Sequence, residues 1–228
     1  MDRRWMRKVE CRFIYVEKVE LVNIDYSIKQ LKKIDPDLKR LLSAFKIDNL
    51  LPEQNYFKSL TRSIIYQQLT GTSAKAIHDR FIAIYDNDIY PTPKEVLSTK
   101  LESLHSIGLS KFKAQYVHNI AEAFIEDPIK YEPLDQKKDD DVIDLLTEVK
   151  GVGLWTAQMF LMFTLNRPDV FPATDLALQK GFQCYFDLDQ LPKVNEMVER
   201  SQKWSPHRTT VSLFFWRILE GPFKGSYD

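Results

Sequence analysis

Cysteine is scarce in this sequence. Cys11 and Cys184 are its only cysteines, and they lie far apart without a CxxC spacing. We therefore expect no disulfide framework, no iron–sulfur cluster and no structural zinc site. Glycine and proline are also sparse, with seven and eleven residues among 228, which is too few for a β-sandwich with many turns. Because few segments alternate between apolar and polar residues, the chain is predicted to be all-α.

The sequence also lacks net charge, since 32 basic residues balance 32 acidic ones. A nucleic-acid-binding protein of this composition must gather its positive charge on one face, so the total charge neither supports nor excludes such a function. No apolar run approaches a membrane-spanning length, and the basic first residues lack the apolar core and cleavage site of a signal peptide. We therefore expect an intracellular protein with no membrane partner.

The most informative segment is residues 146–157, Leu-Thr-Glu-Val-Lys-Gly-Val-Gly-Leu-Trp-Thr-Ala. A helical pattern runs into Gly151 and Gly153, and a second helix begins directly after them. Glycine permits positive φ and close backbone approach, and the first amides of the second helix point outward as a site for a phosphate. The segment therefore predicts two helices joined by a hairpin that can hold a nucleic-acid backbone without reading a base.

Helical patterns also fill most of the remaining chain. Residues 55–69 predict a helix that ends in a tight corner at residues 67–70, and Thr92, Pro93 and Glu95 form a complete helix start. The polar residues 127–141 are predicted to cross between two lobes. We expect an N-terminal extension over residues 1–25, with a short strand or hairpin within residues 9–24, and a two-lobed domain over residues 26–228 whose N-terminal segment joins the C-terminal lobe.

The hairpin, read together with the residues that follow it, carries a family resemblance. Gly151-Val152-Gly153-Leu154-Trp155-Thr156-Ala157, followed by Pro172-Ala173-Thr174-Asp175, resembles the helix-hairpin-helix Gly/Pro-Asp superfamily of base-excision DNA glycosylases. Within it, the chain is most similar to the AlkA-type 3-methyladenine DNA glycosylases. The resemblance covers about residues 35–220, and the family's motifs occur in the family's order. That ordered set is far more specific than a single Gly-Val-Gly.

The resemblance assigns the chemistry to Asp175, which matches the family's catalytic aspartate. Cleavage of an N-glycosidic bond builds positive charge on the deoxyribose, and a fixed carboxylate near C1′ stabilises that charge. Without the resemblance, an aspartate at a helix start would be read as a helix cap. Trp155 stands where bifunctional family members have a nucleophilic lysine. The resemblance therefore implies a monofunctional enzyme that leaves an abasic site and does not cut the strand.

The resemblance also implies a pocket for the damaged base. Trp155 and Trp216 match pocket positions, and an electron-rich indole attracts the positively charged bases 3-methyladenine and 7-methylguanine. For Trp216, an ordinary core role stays open. Met159 and Leu176 stand where the best-known AlkA has tyrosines, and Thr174 replaces a neighbouring acid. These differences imply a less aromatic pocket with a different substrate range.

The family's DNA contacts map onto two regions of this chain. Gln68 aligns with the position that intercalates into DNA and Leu69 is its neighbour; which of them is the wedge stays open, as does a capping role for Gln67 and Gln68. The other expected DNA contacts are basic residues and residues of the hairpin: Lys111, Lys113, Lys150, Gly151, Gly153 and Thr156. We expect no cofactor other than a structural sodium or potassium ion on the hairpin carbonyls near Val149 and Val152.

The sequence thus predicts a monomeric enzyme that acts on double-stranded DNA containing damaged bases. We expect it in the cytoplasm or nucleoid of a prokaryote or in the nucleus of a eukaryote. Two alternatives stay open: a glycosylase for another lesion, such as uracil or a mismatched base, and a non-catalytic protein that uses the hairpins to bind DNA of particular structure.

Overall fold

The computed structural model describes residues 21–69, 71–85, 90–131 and 134–219. The α-helices in these ranges are α1 (Ile24–Ile34), α2 (Leu41–Ala44), α3 (Tyr56–Tyr66), α4 (Gly71–Ala83), α5 (Pro93–Ser98), α6 (Leu101–Ser106), α7 (Lys111–Glu126), α8 (Pro128–Tyr131), α9 (Asp139–Thr147), α10 (Leu154–Phe163), α11 (Leu176–Phe186), α12 (Val194–Ser201) and α13 (Arg208–Ile218). No strand occurs in the described ranges, and the all-α prediction is confirmed. The strand predicted within residues 9–24 lies outside the described residues except for 21–24, where Ile24 begins α1.

Local capping signals place several helix starts where the sequence predicts them. At α5, the Thr92 hydroxyl accepts a hydrogen bond from the Glu95 amide at 3.3 Å, and the Glu95 carboxylate accepts one from the Thr92 amide at 2.7 Å. Pro93 occupies the first position of the helix, where no amide donor is needed. Ser110 caps α7 by accepting from the Lys113 amide at 3.2 Å. These bonds satisfy amides that a helix leaves unpaired at its start.

The described helices pack in two groups. In one group, α7 packs against α3, α5 and α6, and α3 also contacts α4. In the other, α13 packs against α11, α1 and α2. Helix α10 contacts both α3 and α9, so the hairpin between α9 and α10 lies next to the first group. The residue limits proposed for the lobes remain a prediction.

The core of the second group is built around the fully buried Trp204. Its ring lies within 6.3 Å of the rings of Phe171, Phe182 and Phe215, and its Nε1 donates to Asp35 Oδ2 at 2.8 Å. Burial raises the pKa of Asp35, but hydrogen bonds from Lys203 and Trp204 outweigh burial and hold this pKa below its ordinary value. Trp204 is therefore a packing residue.

The predicted crossover is fixed by an arginine that the sequence does not single out. Arg167 is 6% exposed and donates to the carbonyls of Asp135 and Lys137 at 3.0 and 2.7 Å. Its Nε lies 3.2 Å from Asp139, the first residue of α9. One buried cation thus joins the turn after α10 to the segment that leads into α9.

Helices α11 and α13 approach each other unusually closely at Gly181. A Cβ added to Gly181 would lie 2.2 Å from the carbonyl oxygen of Phe215. That oxygen belongs to the backbone of α13, so it cannot move aside unless the helix moves. The absent side chain therefore sets the spacing of the two helices that meet at the site described next.

Candidate functional site

The hairpin between α9 and α10 forms as its glycines predict. Gly151 has φ 108°, and a Cβ at this position would lie 2.2 Å from the ring of Tyr116 on α7. Gly153 precedes the first residue of α10 at φ −98°, with open space around the position of its missing Cβ. The turn is closed by the amide of Val152, which donates to the carbonyl of Val149 at 2.9 Å. Gly151 is thus required for backbone shape and packing, whereas Gly153 leaves the start of α10 uncovered.

This difference predicts unequal effects of alanine at the two glycines. Gly151→Ala is expected to lower the free energy of unfolding by about 2–4 kcal/mol, because it combines a strained φ with a clash against Tyr116. Gly153→Ala is expected to cost less than about 1 kcal/mol. Urea unfolding of both variants checks the prediction, and equal losses would contradict the contact between Gly151 and Tyr116.

Asp175 is delivered to the start of α11 by the extended segment after α10. Its amide donates to the carbonyl of Pro172 at 2.9 Å, and its Oδ1 accepts from the amide of Leu178 at 2.7 Å. The carboxylate therefore caps the helix, as the reading from local sequence alone expects. The side chain is partly exposed, so it also remains accessible from the surface.

Two indole groups converge on the same carboxylate. Trp155 Nε1 on α10 donates to Asp175 Oδ2 at 2.8 Å, and Trp216 Nε1 on α13 donates to Oδ1 at 2.8 Å. With the amide of Leu178, three N–H donors from three helices fix the orientation of the Asp175 carboxylate. A carboxylate held in this way can face a developing positive charge without having to reorganise.

The second tryptophan has one face covered. The ring of Phe163 stacks on Trp216 with centroids 6.0 Å apart and planes 24° apart. Trp216 is therefore partly core and partly site, so both readings made from the sequence describe part of its environment. Phe163 was not predicted, because an apolar residue at the end of an apolar helix looks like any core residue.

A cleft of about 370 Å³ opens beside Trp155. One wall comes from α10 and contains Trp155, Met159 and Phe163; the other comes from the polar face of α3. The volume lies within the range of roughly 300–1,000 Å³ that is usual for small-molecule sites. Of the predicted site residues, Trp155 and Met159 line this cleft, whereas Asp175, Trp216 and the 54% exposed Leu176 do not.

The wall from α3 carries charges that the sequence does not predict at the site. Lys58 forms an ion pair with Glu53 at 2.7 Å, and the Arg62 guanidinium lies 5.0 Å from the ring centroid of Tyr66. The hydrogen bond from Lys58 is the largest cause that holds the pKa of Glu53 below its ordinary value. The i, i+4 spacing of Lys58 and Arg62 could have indicated a shared face, but any solvated helix face gives the same signal.

The corner after α3 places two of the predicted DNA-contacting residues at the surface. Gln68 has φ 54° and is exposed, and Leu69 is 40% exposed. Gln67 instead turns inward, where its Nε2 donates to Thr156 Oγ1 at 3.0 Å, and Thr156 is only 1% exposed. The structure thus places Gln67 and Thr156 against each other beneath the surface residues.

The three predicted lysines differ in their surroundings. Lys111 and Lys150 are exposed, at the start of α7 and beside the hairpin. Lys113 is partly buried, and its Nζ donates to the carbonyls of Ile65 and Gln67 at 2.9 and 2.6 Å. Only the first two lysines therefore present their charge to the surface.

Two further features bear on partners and metals. Within the described ranges, no helix has the length and apolar character needed to cross a membrane. The same ranges hold no group of three or more His, Cys, Asp or Glu side chains that could bind a metal. A monovalent cation on backbone carbonyls near Val149 and Val152 remains a prediction; the Val149 carbonyl already accepts the Val152 amide.

Known proteins resemble the chain over most of its length. Residues 61–207 match the model of a family described as HhH-GPD superfamily base excision DNA repair protein. The chain is 33% identical over 202 residues to the Schizosaccharomyces pombe alkylbase DNA glycosidase-like protein mag2, covering 86% of this chain and 94% of that protein. It is 31% identical over 207 residues to DNA-3-methyladenine glycosylase 1 of the same organism, covering 88% and 90%.

Solved structures agree with these sequence matches. The S. pombe 3-methyladenine DNA glycosylase (Mag1) in complex with abasic DNA superimposes with a TM-score of 0.80 at 31% identity, covering 87% of this chain and 98% of that one. A DNA-3-methyladenine glycosidase from Bacillus halodurans gives 0.74 at 28% identity, covering 88% and 92%. The match extends beyond the central hairpin to the whole helical domain.

Proposed function

Because this chain belongs to the HhH-GPD superfamily of base excision DNA repair proteins, we propose that it is a monofunctional DNA glycosylase that removes alkylated purines from double-stranded DNA. The relatives named as 3-methyladenine glycosylases support the substrate class. The observation that carries the chemistry is the carboxylate of Asp175, fixed by Trp155, Trp216 and the amide of Leu178. The product is a free base and an abasic site.

The reaction requires stabilisation of a positively charged sugar. As the N-glycosidic bond breaks, positive charge develops on the deoxyribose and the electron pair leaves with the base. Asp175 supplies the opposing negative charge and can orient the water that attacks C1′. Trp155 has no amine that could form a Schiff base with the sugar, so the strand is not cut.

The cleft beside Trp155 suits a flipped, positively charged purine. The indole face offers cation–π attraction, and Phe163 and Met159 supply apolar contact. The two cations on the opposite wall already have partners, because Lys58 pairs with Glu53 and Arg62 lies over Tyr66. Glu53 offsets the positive charge of Lys58, which lowers the repulsion between this wall and a cationic base.

The base reaches this cleft only after it leaves the duplex. Gln68 and Leu69 are exposed at the corner after α3, which supports their proposed role of filling the gap that the base leaves. The uncovered amides at the start of α10, together with Lys111 and Lys150, supply the contacts to phosphates. We propose that the protein acts as a monomer inside the cell, where DNA lies in the nucleoid or nucleus, and that a sodium or potassium ion on the hairpin carbonyls is its only bound ion.

One observation favours a second candidate function. The relative that is 33% identical is named a glycosidase-like protein, and this chain has Met159 in place of a tyrosine and Thr174 in place of an acid of the best-known AlkA. A protein that binds damaged or distorted DNA without cleaving it would keep the hairpins and the corner. Excision of uracil or of a mismatched base is the remaining alternative.

Incubation with methylated duplex DNA tests these functions. We expect chromatography to detect released 3-methyladenine and 7-methylguanine, with no release from unmethylated, uracil-containing or mismatched duplexes. Borohydride should trap no covalent adduct. Binding without any base release would support the non-catalytic alternative, and a borohydride-trapped adduct would contradict the assignment made from Trp155.

A further inference from the structure

The corner that carries Gln68 and Leu69 is held by a lysine from another helix. Lys113 Nζ on α7 donates to the carbonyl of Ile65 at 2.9 Å and to that of Gln67 at 2.6 Å. Both carbonyls lie at the end of α3, where helical carbonyls lack partners within the helix. A cation at a helix C-terminus is also favoured by the helix dipole.

Through these contacts, the ammonium group of Lys113 is directed at backbone carbonyls of the protein and not at solvent. An ammonium group has three N–H donors, and two of them are bonded to the α3 carbonyls. Burial lowers the pKa of Lys113 below its ordinary value, in keeping with a group partly withdrawn from solvent. Lys111, two residues earlier, is exposed and offers the contrasting case of a lysine that faces outward.

A second link ties the same corner to the hairpin helix. Gln67 Nε2 donates to the buried Thr156 Oγ1 at 3.0 Å, and Thr156 lies in the first turn of α10. Lys113 lies in the first turn of α7, which Ser110 caps. The corner is therefore bonded to the first turn of α7 and to the first turn of α10, the helix that follows the hairpin.

The backbone of the corner needs such support. Gln68 has φ 54°, in the left-handed region that a residue with a side chain seldom adopts. A strained residue of this kind persists only when its surroundings hold it in place. Without the two links, residues 67–69 would be free to relax, and the exposed side chains would lose their fixed position relative to the phosphate-binding hairpin.

We propose that Lys113 is a positioning residue that, together with the Gln67–Thr156 bond, presets the wedge corner for insertion into DNA, and that Lys113 does not contact phosphate. This inference rests on the proposed function, since a wedge matters only to a protein that flips a nucleotide. It also changes the role of three residues that the sequence assigns to DNA contact. Gln67, Lys113 and Thr156 hold the corner through partly buried hydrogen bonds and do not touch DNA themselves.

The test compares lesions that need a wedge with lesions that do not. The substrates are duplexes with 7-methylguanine opposite cytosine, which must be unpaired and unstacked, and opposite an abasic-site analogue, which has no pair to break. For Lys113→Met we expect the single-turnover rate of excision to fall roughly tenfold on the paired lesion and less than about twofold on the unpaired one. Lys113→Arg, which can donate to the same carbonyls, should restore most of the rate.

The salt dependence of DNA binding separates positioning from phosphate contact. Loss of one phosphate contact reduces the slope of log Kobs against log salt by about 1. We expect that reduction in Lys111→Met, and we expect an unchanged slope in Lys113→Met. A reduced slope in Lys113→Met, or equal losses on the paired and unpaired lesions, would overturn the proposal.

Two further measurements keep the proposal testable if Lys113→Met folds poorly or if the parent protein proves inactive. Thr156→Val removes the acceptor for Gln67 without changing charge, and it should show the same selective loss on the paired lesion. Fluorescence of 2-aminopurine placed beside an abasic-site analogue reports unstacking without any chemistry. A parent that raises this fluorescence but releases no base would refute the glycosylase function alone, whereas equal fluorescence with parent, Lys113→Met and Thr156→Val would refute the positioning role.

Discussion

Replacement of Asp175 by asparagine is expected to lower the single-turnover rate of base release by on the order of 10³-fold. The change removes the negative charge that faces the sugar but keeps the size of the side chain. Asparagine is also a good helix cap, so the bond from the Leu178 amide can persist. Affinity for DNA with an unreactive abasic-site analogue should therefore change less than about threefold.

The geometry around Asp175 adds to this effect. Each carboxylate oxygen accepts an indole N–H, from Trp155 at Oδ2 and from Trp216 at Oδ1. An asparagine side chain has only one oxygen, so its NH₂ group would face one of the indoles donor to donor. The variant thus loses the negative charge and also one of the two hydrogen bonds that join the side chain at position 175 to Trp155 and Trp216.

Asp187→Asn is the matched control for this variant. Asp187 is an exposed residue at the end of α11 with φ 51°, a conformation that asparagine tolerates well. It removes one negative charge from the same helix, and it should leave the excision rate unchanged. If Asp175→Asn excised 7-methylguanine as fast as Asp187→Asn does, Asp175 would not be the catalytic group.

Gly181→Ala is expected to impair excision by about 10–100-fold even though Gly181 lies outside the site. The added Cβ would meet the Phe215 carbonyl at 2.2 Å, and relief of this clash requires α11 and α13 to move apart. Helix α13 carries Trp216, and α11 begins directly after Asp175. Separation of the two helices would therefore break the 2.8 Å hydrogen bond from Trp216 Nε1 to Asp175 Oδ1. We also expect about 1–3 kcal/mol of lost stability from overpacking.

The control for Gly181→Ala must separate loss of stability from loss of geometry. Val96→Ala, in the fully buried face of α5, should cost a similar free energy of unfolding because it leaves a small cavity. When the excision rates are measured at a temperature well below the unfolding midpoints of both variants, Val96→Ala should excise at the parental rate. A slow Val96→Ala variant, or a fast Gly181→Ala variant, would contradict the link between helix spacing and the site.

The parts of the fold that the sequence predicts are those with local causes. Gly151 and Gly153 mark the hairpin because glycine is needed where φ is positive or the backbone must stay uncovered. Thr92, Pro93 and Glu95 mark a helix start because the bonds between them span only three residues. The position of Asp175 at a helix start has the same local cause, whereas only the family resemblance predicts its chemical role.

The parts that the sequence does not predict depend on contacts between distant residues. Lys113 and Gln67 are 46 residues apart, and nothing in either neighbourhood indicates that the lysine points inward. Gly181 is unremarkable within α11 until α13 is placed against it. Phe163 and Arg62 become site residues only when α3 and α10 form the two walls of one cleft. Residue type therefore predicts which segments contribute to the proposed site, but tertiary packing decides which of their side chains are exposed there.

The most direct measurement is the preference of the protein for a positively charged sugar mimic. DNA containing a pyrrolidine abasic analogue carries a cation where the transition state develops positive charge, whereas DNA containing tetrahydrofuran is neutral there. We expect the parent protein to bind the pyrrolidine duplex at least about tenfold more tightly and Asp175→Asn to bind the two duplexes equally. The same preference in both proteins would show that the Asp175 carboxylate does not face the sugar, and would contradict the mechanism.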